Sequence, residues 1–287
     1  MRANIKINMK LFCGMALALV GAAAWGIDLG DLKSLQKQVQ QVQQVQQQVS
    51  TLHTGGVTQE EEIAIGRQIA GNLLGAVPLV KDEGLQRYVN KVGRWVANQG
   101  ERPDLPWHFG VVDSNDVNAF AAPGGYIFVT RGLYVMLQNE AELAGVLGHE
   151  IGHVIRQHHL KILQQSKLLD KGSKLLAKEV KGGNSQAQSL IGSGAEIVSR
   201  SLDKDAEFEA DRMGVVLATR AGYDAFGLPA VLQSIGHIAK DDGSVALLFK
   251  THPAPDARTD KLGAAMGERF DAIKGQTLEG RLHRVKQ

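Results

Sequence analysis

The chain has 287 residues, a formal charge of +2, and 44% apolar against 22% charged residues. Those values are ordinary for a globular protein with ample length for a real core, arranged as one large or two small domains. The near balance of charge argues against a nucleic-acid partner and against a polybasic clamp on a membrane.

Arg2, Lys6 and Lys10 precede an apolar run from Leu11 to Ala24, and Ala22-Ala23-Ala24 offers a small-residue cleavage site before Trp25. The pattern reads as a secretory signal peptide over residues 1–24, which places the mature chain in the periplasm or outside the cell. The run is about 14 residues, short of the roughly 20 that span a bilayer, so an uncleaved anchor is the alternative. Cys13, the only cysteine, lies inside it, and cleavage leaves no thiolate for a disulfide or a metal.

Residues 28–55 carry Leu32, Leu35, Val39, Val42, Val45, Val49 and Leu52 in a heptad-like spacing among glutamines. This reads either as an amphipathic helix for homo-oligomerisation or docking, with one stammer near Val45, or as a Gln-rich linker. Gly55-Gly56 ends it, and a catalytic domain is expected over residues 57–270. Thr58-Gln-Glu-Glu61 has capping-box spacing and starts a helix through Ile65, Ile69 and Leu73. A second helix runs from about Asp82 to Asn98, with Leu85, Val89, Val92 and Val96 on one face.

Beyond Pro103 and Pro106, residues 107–112 and 126–129 look like strands. Asn118-Ala119-Phe120 opens a further extended run that ends at the Pro123-Gly124-Gly125 turn. A small antiparallel sheet is expected, with Asn118, Ala119 and Phe120 on an edge that pairs with an extended peptide, or else in a plain structural hairpin.

His149-Glu150-Ile151-Gly152-His153 lies within an apolar helical pattern formed by Leu143, Val146, Leu147, Ile151, Val154 and Ile155. Residues four apart share a helix face, so His149 and His153 can hold zinc, and Glu150 can reach a water there. Three ionisable groups on a buried helix are costly without such a partner. Gly172 to Gly194 reads as a lid over the cleft or an inert surface excursion. The next helix starts near Asp203, and Glu207 and Asp211 share a face on it. Glu207 would complete a His-His-Glu ligand set, and Asp211 would fix the tautomer of a ligating imidazole. Zinc with an open position lowers the pKa of bound water to about 7, Glu150 would act as general base, and His252 is the candidate donor to the oxyanion.

The other imidazoles, His108, His158, His159, His237 and His283, read as structural or solvated. His158 would fall on the opposite face of a continued helix from His149. Residues 271–287, with Arg281, Arg284 and Lys286, read as a basic tail.

Three segments together resemble the HtpX-like zinc metallopeptidases. These are His149-Glu-Ile-Gly-His153, Glu207-Phe-Glu-Ala-Asp211, and Thr251-His-Pro253 with Arg258; Asn118-Ala-Phe120 with Pro123-Gly-Gly125 also matches. The group includes the CaaX prenyl proteases, the mitochondrial Oma-type enzymes and the periplasmic BepA and LoiP proteases. The resemblance spans about Thr58 to Leu262. It implies an α+β, mostly helical zincin-like domain binding one zinc ion through His149, His153 and Glu207, with Glu150 as base. It also implies that His252 can take the fourth zinc position and hold the enzyme shut. The substrates it suggests are unfolded or misfolded envelope or outer-membrane proteins, with peripheral association with membrane or envelope machinery. The helical repeats of the BepA type are absent from this chain. A zinc-containing periplasmic chaperone or assembly factor that binds extended chains without cutting them is the alternative function.

Overall fold

The computed structural model describes residues 57–164 and 202–285. The expected signal peptide, the Gln-rich segment and the Gly172–Gly194 excursion lie outside the described residues.

The chain begins with α1 (Gln59–Ala76), closed at its start by the capping box expected there: Thr58 Oγ1 accepts from Glu61 N, and Glu61 Oε2 accepts from Thr58 N. Asp82 caps α2 (Glu83–Ala97), whose apolar face of Leu85, Val89, Val92 and Val96 is buried. Three strands follow, β1 (His108–Val112), β2 (Ala119–Ala122) and β3 (Tyr126–Thr130). Next come α3 (Arg131–Met136), α4 (Glu140–Ile155), helical residues 158–164, and α5 (Lys204–Arg220). The helices α6 (Gly227–Gly236), α7 (Ala246–Thr251) and α8 (Pro255–Met266) complete the set.

The sheet is mixed, with strand order β1-β3-β2, and not the antiparallel sheet that the sequence suggests. The tight Pro123-Gly124-Gly125 turn makes β2 and β3 an antiparallel hairpin, its two glycines at φ +74° and +98° in the left-handed region that L side chains avoid. The 113–118 connection then carries the chain past β3, so β1 settles on the far side and runs parallel to it, with His108 opposite Tyr126. Nothing in the alternation of side chains distinguishes these two pairings.

The outer edge of β1 is closed by side chains of α2. Gln86 donates to the Val80 and Val111 carbonyls and accepts from Val111 N–H, while Asn90 donates to Phe109 O and accepts from Phe109 N–H. Together with the backbone of residues 78–80, which forms an antiparallel bridge from Leu79 to Val112 and a Val80 N–H bond to Val111 O, these amides stand in for a fourth strand. Among the described residues β2 is therefore the one open edge.

Helix α4 is buried along its whole length, and its packing against α5 is the most extensive helix contact in the domain. Two glycines set that contact. A Cβ on Gly148 would stand 2.8 Å from Gly214 O, and one on Gly214 would stand 2.9 Å from His149 N. The backbones meet directly, which brings the side chains of both helices within reach of one ion. Leu143, Leu147 and Ile151, fully buried on α4, anchor it with roughly 1.5–3 kcal/mol of transfer free energy each.

The segment expected as a basic tail is packed against the domain as far as residue 285. Leu282 is buried, Arg281 pairs with buried Glu140 at 2.9 Å, and Arg284 donates to the Leu137 and Gln138 carbonyls. Arg281 and Arg284 thus bind the start of α4 and the residues before it while staying partly in solvent.

Candidate active site

Asn139 caps α4, its side chain accepting from Glu142 N, and the helix delivers His149 and His153 to one face with their Nε2 atoms 3.0 Å apart. Asp203 caps α5, placing Glu207 in the first turn, where the helix dipole favours an acid. Glu207 Oε2 lies 3.8 Å from His149 Nε2, and its Oε1 lies 3.5 Å from His153 Nε2. His252, at the C-terminus of α7, brings its Nε2 to 3.8 Å from Glu207 Oε2. One donor atom from each of the four lies within 4.8 Å of all the others.

These residues fit a zinc ion. A tetrahedral shell with bonds of 2.0–2.1 Å places its donors roughly 3.3 Å apart, close to the spacings found here. Glu207 is fully buried and neither of its carboxylate oxygens has a hydrogen-bond partner, a costly state that a cation relieves. Burial pushes the Glu207 carboxyl up to about 8 and that of Glu150 likewise to about 8. Burial also lowers His149, His153 and His252, so all three imidazoles are neutral and free to ligate.

The tautomers follow from the outer contacts. His149 Nδ1 lies 2.9 Å from Asp211 Oδ1, so its proton sits on Nδ1 and the Nε2 lone pair faces the cluster. His252 Nδ1 lies 2.8 Å from Thr251 Oγ1, leaving its Nε2 for the cluster in the same way. Arg258, on α8 and almost fully buried, grips Asp211 with two bonds, Nε to Oδ2 at 3.0 Å and Nη2 to Oδ1 at 2.6 Å. Burial alone would raise the Asp211 carboxyl, but Arg258 and the His149 hydrogen bond outweigh it and hold the group ionised, well below the usual carboxylate range.

Glu150 shares a small cavity of about 30 Å³ with His149, His252, Ala119 and apolar residues including Leu133, Val146 and Ile235. That volume admits about one water. Ala119 of β2 faces this cavity, whereas Phe120 packs toward Phe128 and α1, and Asn118 is buried with its Oδ1 unpartnered.

His158 departs from the sequence reading. Helix α4 stops at Ile155, Gln157 adopts a left-handed φ of 56°, and the reversed chain puts His158 Nδ1 2.9 Å from His153 Nδ1. A continuous helix would have put His158 on the face opposite His149; the break at Arg156 and Gln157 brings it back to His153. His108 and His237 are exposed, His283 bonds Asp82, and His159 is buried with its ring 5.6 Å from that of His153. Glu62 was also missed by sequence reasoning. Buried in α1, it takes two bonds from Arg102, one from Gly124 N and one from Gln157 Nε2, tying the β2–β3 turn to the end of α4. Glu62 stands beside Glu60 and Glu61 in the first turn of α1, where acids are common, so its residue type gives no sequence signal of such a role.

A buried His-Glu-x-x-His helix crossed by a glutamate-bearing helix, beside a small sheet with one open edge, defines the class as a metallopeptidase. Sequence comparison narrows it: residues 83–265 match the model for Peptidase family M48, and the chain belongs to that family. The chain is 30% identical to a Beta-barrel assembly-enhancing protease of Yersinia pestis, over 69% of this chain and 42% of that protein. It is 27% identical to Mitochondrial metalloendopeptidase OMA1 of Arabidopsis thaliana over 65% of this chain and 37% of that one. Metalloprotease YcaL of Escherichia coli is 28% identical, over 55% of this chain and 61% of its own length. The chain spans less than half the length of the Yersinia relative. Among the described residues no helix is long and apolar enough to cross a membrane.

Proposed function

We propose that the chain is a zinc-dependent endopeptidase of the bacterial periplasm or an equivalent exported space, acting on unfolded or misfolded envelope or outer-membrane proteins. The observation that carries the reading is Glu207, whose two buried, unpartnered oxygens face two imidazoles one helical turn apart, with Glu150 beside them. The substrate class draws on relatives named for enhancing β-barrel assembly. A periplasmic site agrees with the N-terminal signal pattern.

His149, His153 and Glu207 would hold the ion, which when bound would supply Lewis acidity for a water and for the scissile carbonyl. Glu150 accepts the proton of the water as it attacks that carbonyl, and returns it to the leaving amine. Burial raises the Glu150 carboxyl, which favours return of the proton to the leaving amine, while the charge of a bound cation would favour the ionised form that first accepts it. Asp211 holds His149 in the ligating tautomer, and Arg258 keeps Asp211 ionised. The substrate lies extended along the open edge of β2, where Ala119 faces the cavity shared with Glu150.

His252 would supply a fourth donor to a bound ion, and a shell so filled would have to release it before a substrate carbonyl could be polarised, which supports reading this arrangement as a closed resting state. The same four-donor shell favours the second reading, a zinc-stabilised chaperone that binds extended chains without cutting them. Casein cleavage by the zinc-loaded protein and its Glu150→Gln variant separates the two. Cleavage by the wild type, lost in a variant that keeps its zinc, supports the peptidase; absence of cleavage in both wild type and His252→Ala moves the chaperone ahead.

A further inference from the structure

We infer that His158 is a positioning residue for His153, the inner link of a chain that runs from the metal cluster through two imidazoles to Glu209. The inference rests on the zinc reading above and adds to it a role for a residue outside the ligand motif.

His153 presents Nε2 to the cluster, 3.0 Å from His149 Nε2 and 3.5 Å from Glu207 Oε1. To ligate there it must carry its proton on Nδ1. That proton faces one atom, His158 Nδ1 at 2.9 Å. Two ring nitrogens so close need one donor and one acceptor, so His158 Nδ1 is bare and its own proton is on Nε2. His158 Nε2 in turn faces Glu209 Oε2 at 3.4 Å, and Glu209 Oε1 pairs with Arg156 Nε at 2.9 Å. A single assignment of protons satisfies the series from Glu209 through His158 to His153.

The arrangement parallels Asp211 and His149, with an imidazole inserted between ligand and carboxylate. Both carboxylates come from α5, Glu209 two residues before Asp211, so the helix that supplies the third ligand also orients the first two. The local backbone is built for this contact. Arg156 caps α4, Gln157 takes the left-handed conformation that costs a non-glycine residue energy, and its side chain is held by Glu62 Oε2 at 3.0 Å. The rings of His153 and His158 meet at 70° with centres 5.1 Å apart, and His158 is buried. A continuous helix would have carried His158 away.

Zinc affinity of the folded protein, from competition with a chromogenic chelator, tests this together with the visible spectrum of the cobalt-substituted protein. His158→Leu should weaken zinc binding about 10- to 100-fold and shift the cobalt bands. His158→Gln, whose side-chain carbonyl can accept from His153 Nδ1, should recover affinity to within a few-fold of wild type. Glu209→Gln, at the half-exposed outer end, should show a smaller loss in the same direction, and it carries the test if His158→Leu does not fold. His159→Leu, changed at the adjacent imidazole, should leave the cobalt bands in place. A purely structural role would lower the melting temperature of the Leu and Gln variants alike and leave both metal readouts unchanged. Zinc binding by wild type and His158→Leu with equal affinity and equal spectra overturns this inference alone. Wild-type protein that takes up no zinc overturns the metal reading and this inference with it.

Discussion

Asp211 Oδ1 lies 2.9 Å from His149 Nδ1 and 2.6 Å from Arg258 Nη2, so a single carboxylate oxygen links a metal-facing imidazole to a buried guanidinium. Asp211→Ala would leave Arg258 charged, buried and unpaired. The expected cost is about 3–5 kcal/mol of stability, read by urea denaturation of the metal-free protein, together with weaker zinc binding. Arg258→Leu removes the burying cation as well as its partner's restraint, and should weaken zinc binding by leaving Asp211 unanchored. Unchanged stability in Asp211→Ala would contradict the buried pair.

Zinc loading should release protons, with a sign set by the buried carboxyl. Burial raises Glu207 to about 8, so at pH 7 the metal-free group carries a proton that it must lose to ligate. The imidazoles, held below their ordinary value, have none to lose. At pH 7 binding should therefore release at least about one proton per zinc, and apparent affinity should rise between about pH 6 and pH 8 and level off above. Calorimetry in two buffers of different ionisation enthalpy measures the count. Zero release at pH 7 would contradict a protonated Glu207 in the metal-free protein.

The α4–α5 crossing has no room for a methyl group. Gly214→Ala puts a Cβ 2.9 Å from His149 N, which the two helices can accommodate only by moving apart. Overpacking of this kind costs about 1–3 kcal/mol, and here the displaced groups include a metal ligand. Both melting temperature and zinc affinity should fall. A fall in neither would show that the crossing is looser than described.

Gln86 supplies the complementary case, a substitution that harms the fold and spares the site. Gln86→Leu strips Val111 N–H of its partner and leaves Val111 O with the Val80 N–H alone, at about 1–3 kcal/mol. Zinc affinity of the folded variant should match wild type, because that edge faces away from α4. Loss of zinc would place β1 closer to the site than the sheet order allows.

What the sequence discloses and what it hides divides along the range of the interactions. The capping box at Thr58 and the pairs His149/His153 and Glu207/Asp211 depend on spacing within one helix, and each is legible from period and residue type. Helix α4 could be placed to within a residue or two for the same reason. The direction of β1 could not, because it is set by which side of β3 the 113–118 connection reaches, not by alternation. His158 was misplaced because one residue, Gln157, leaves the helical region, held there by Glu62, which lies 95 residues earlier in the sequence. Arg258 stood in a recognisable segment, but its grip on Asp211 joins two helices, and no spacing shows that. The basic residues near the C-terminus looked solvated because their partners, Glu140 and two carbonyls at the start of α4, are distant in sequence.

The central claim is that Glu207 completes a zinc site with His149 and His153. Elemental analysis of the purified chain beside folded Glu207→Ala tests it most directly. About one zinc per chain is expected in the wild type and little above background in the variant. Equal zinc in both would remove Glu207 from the site.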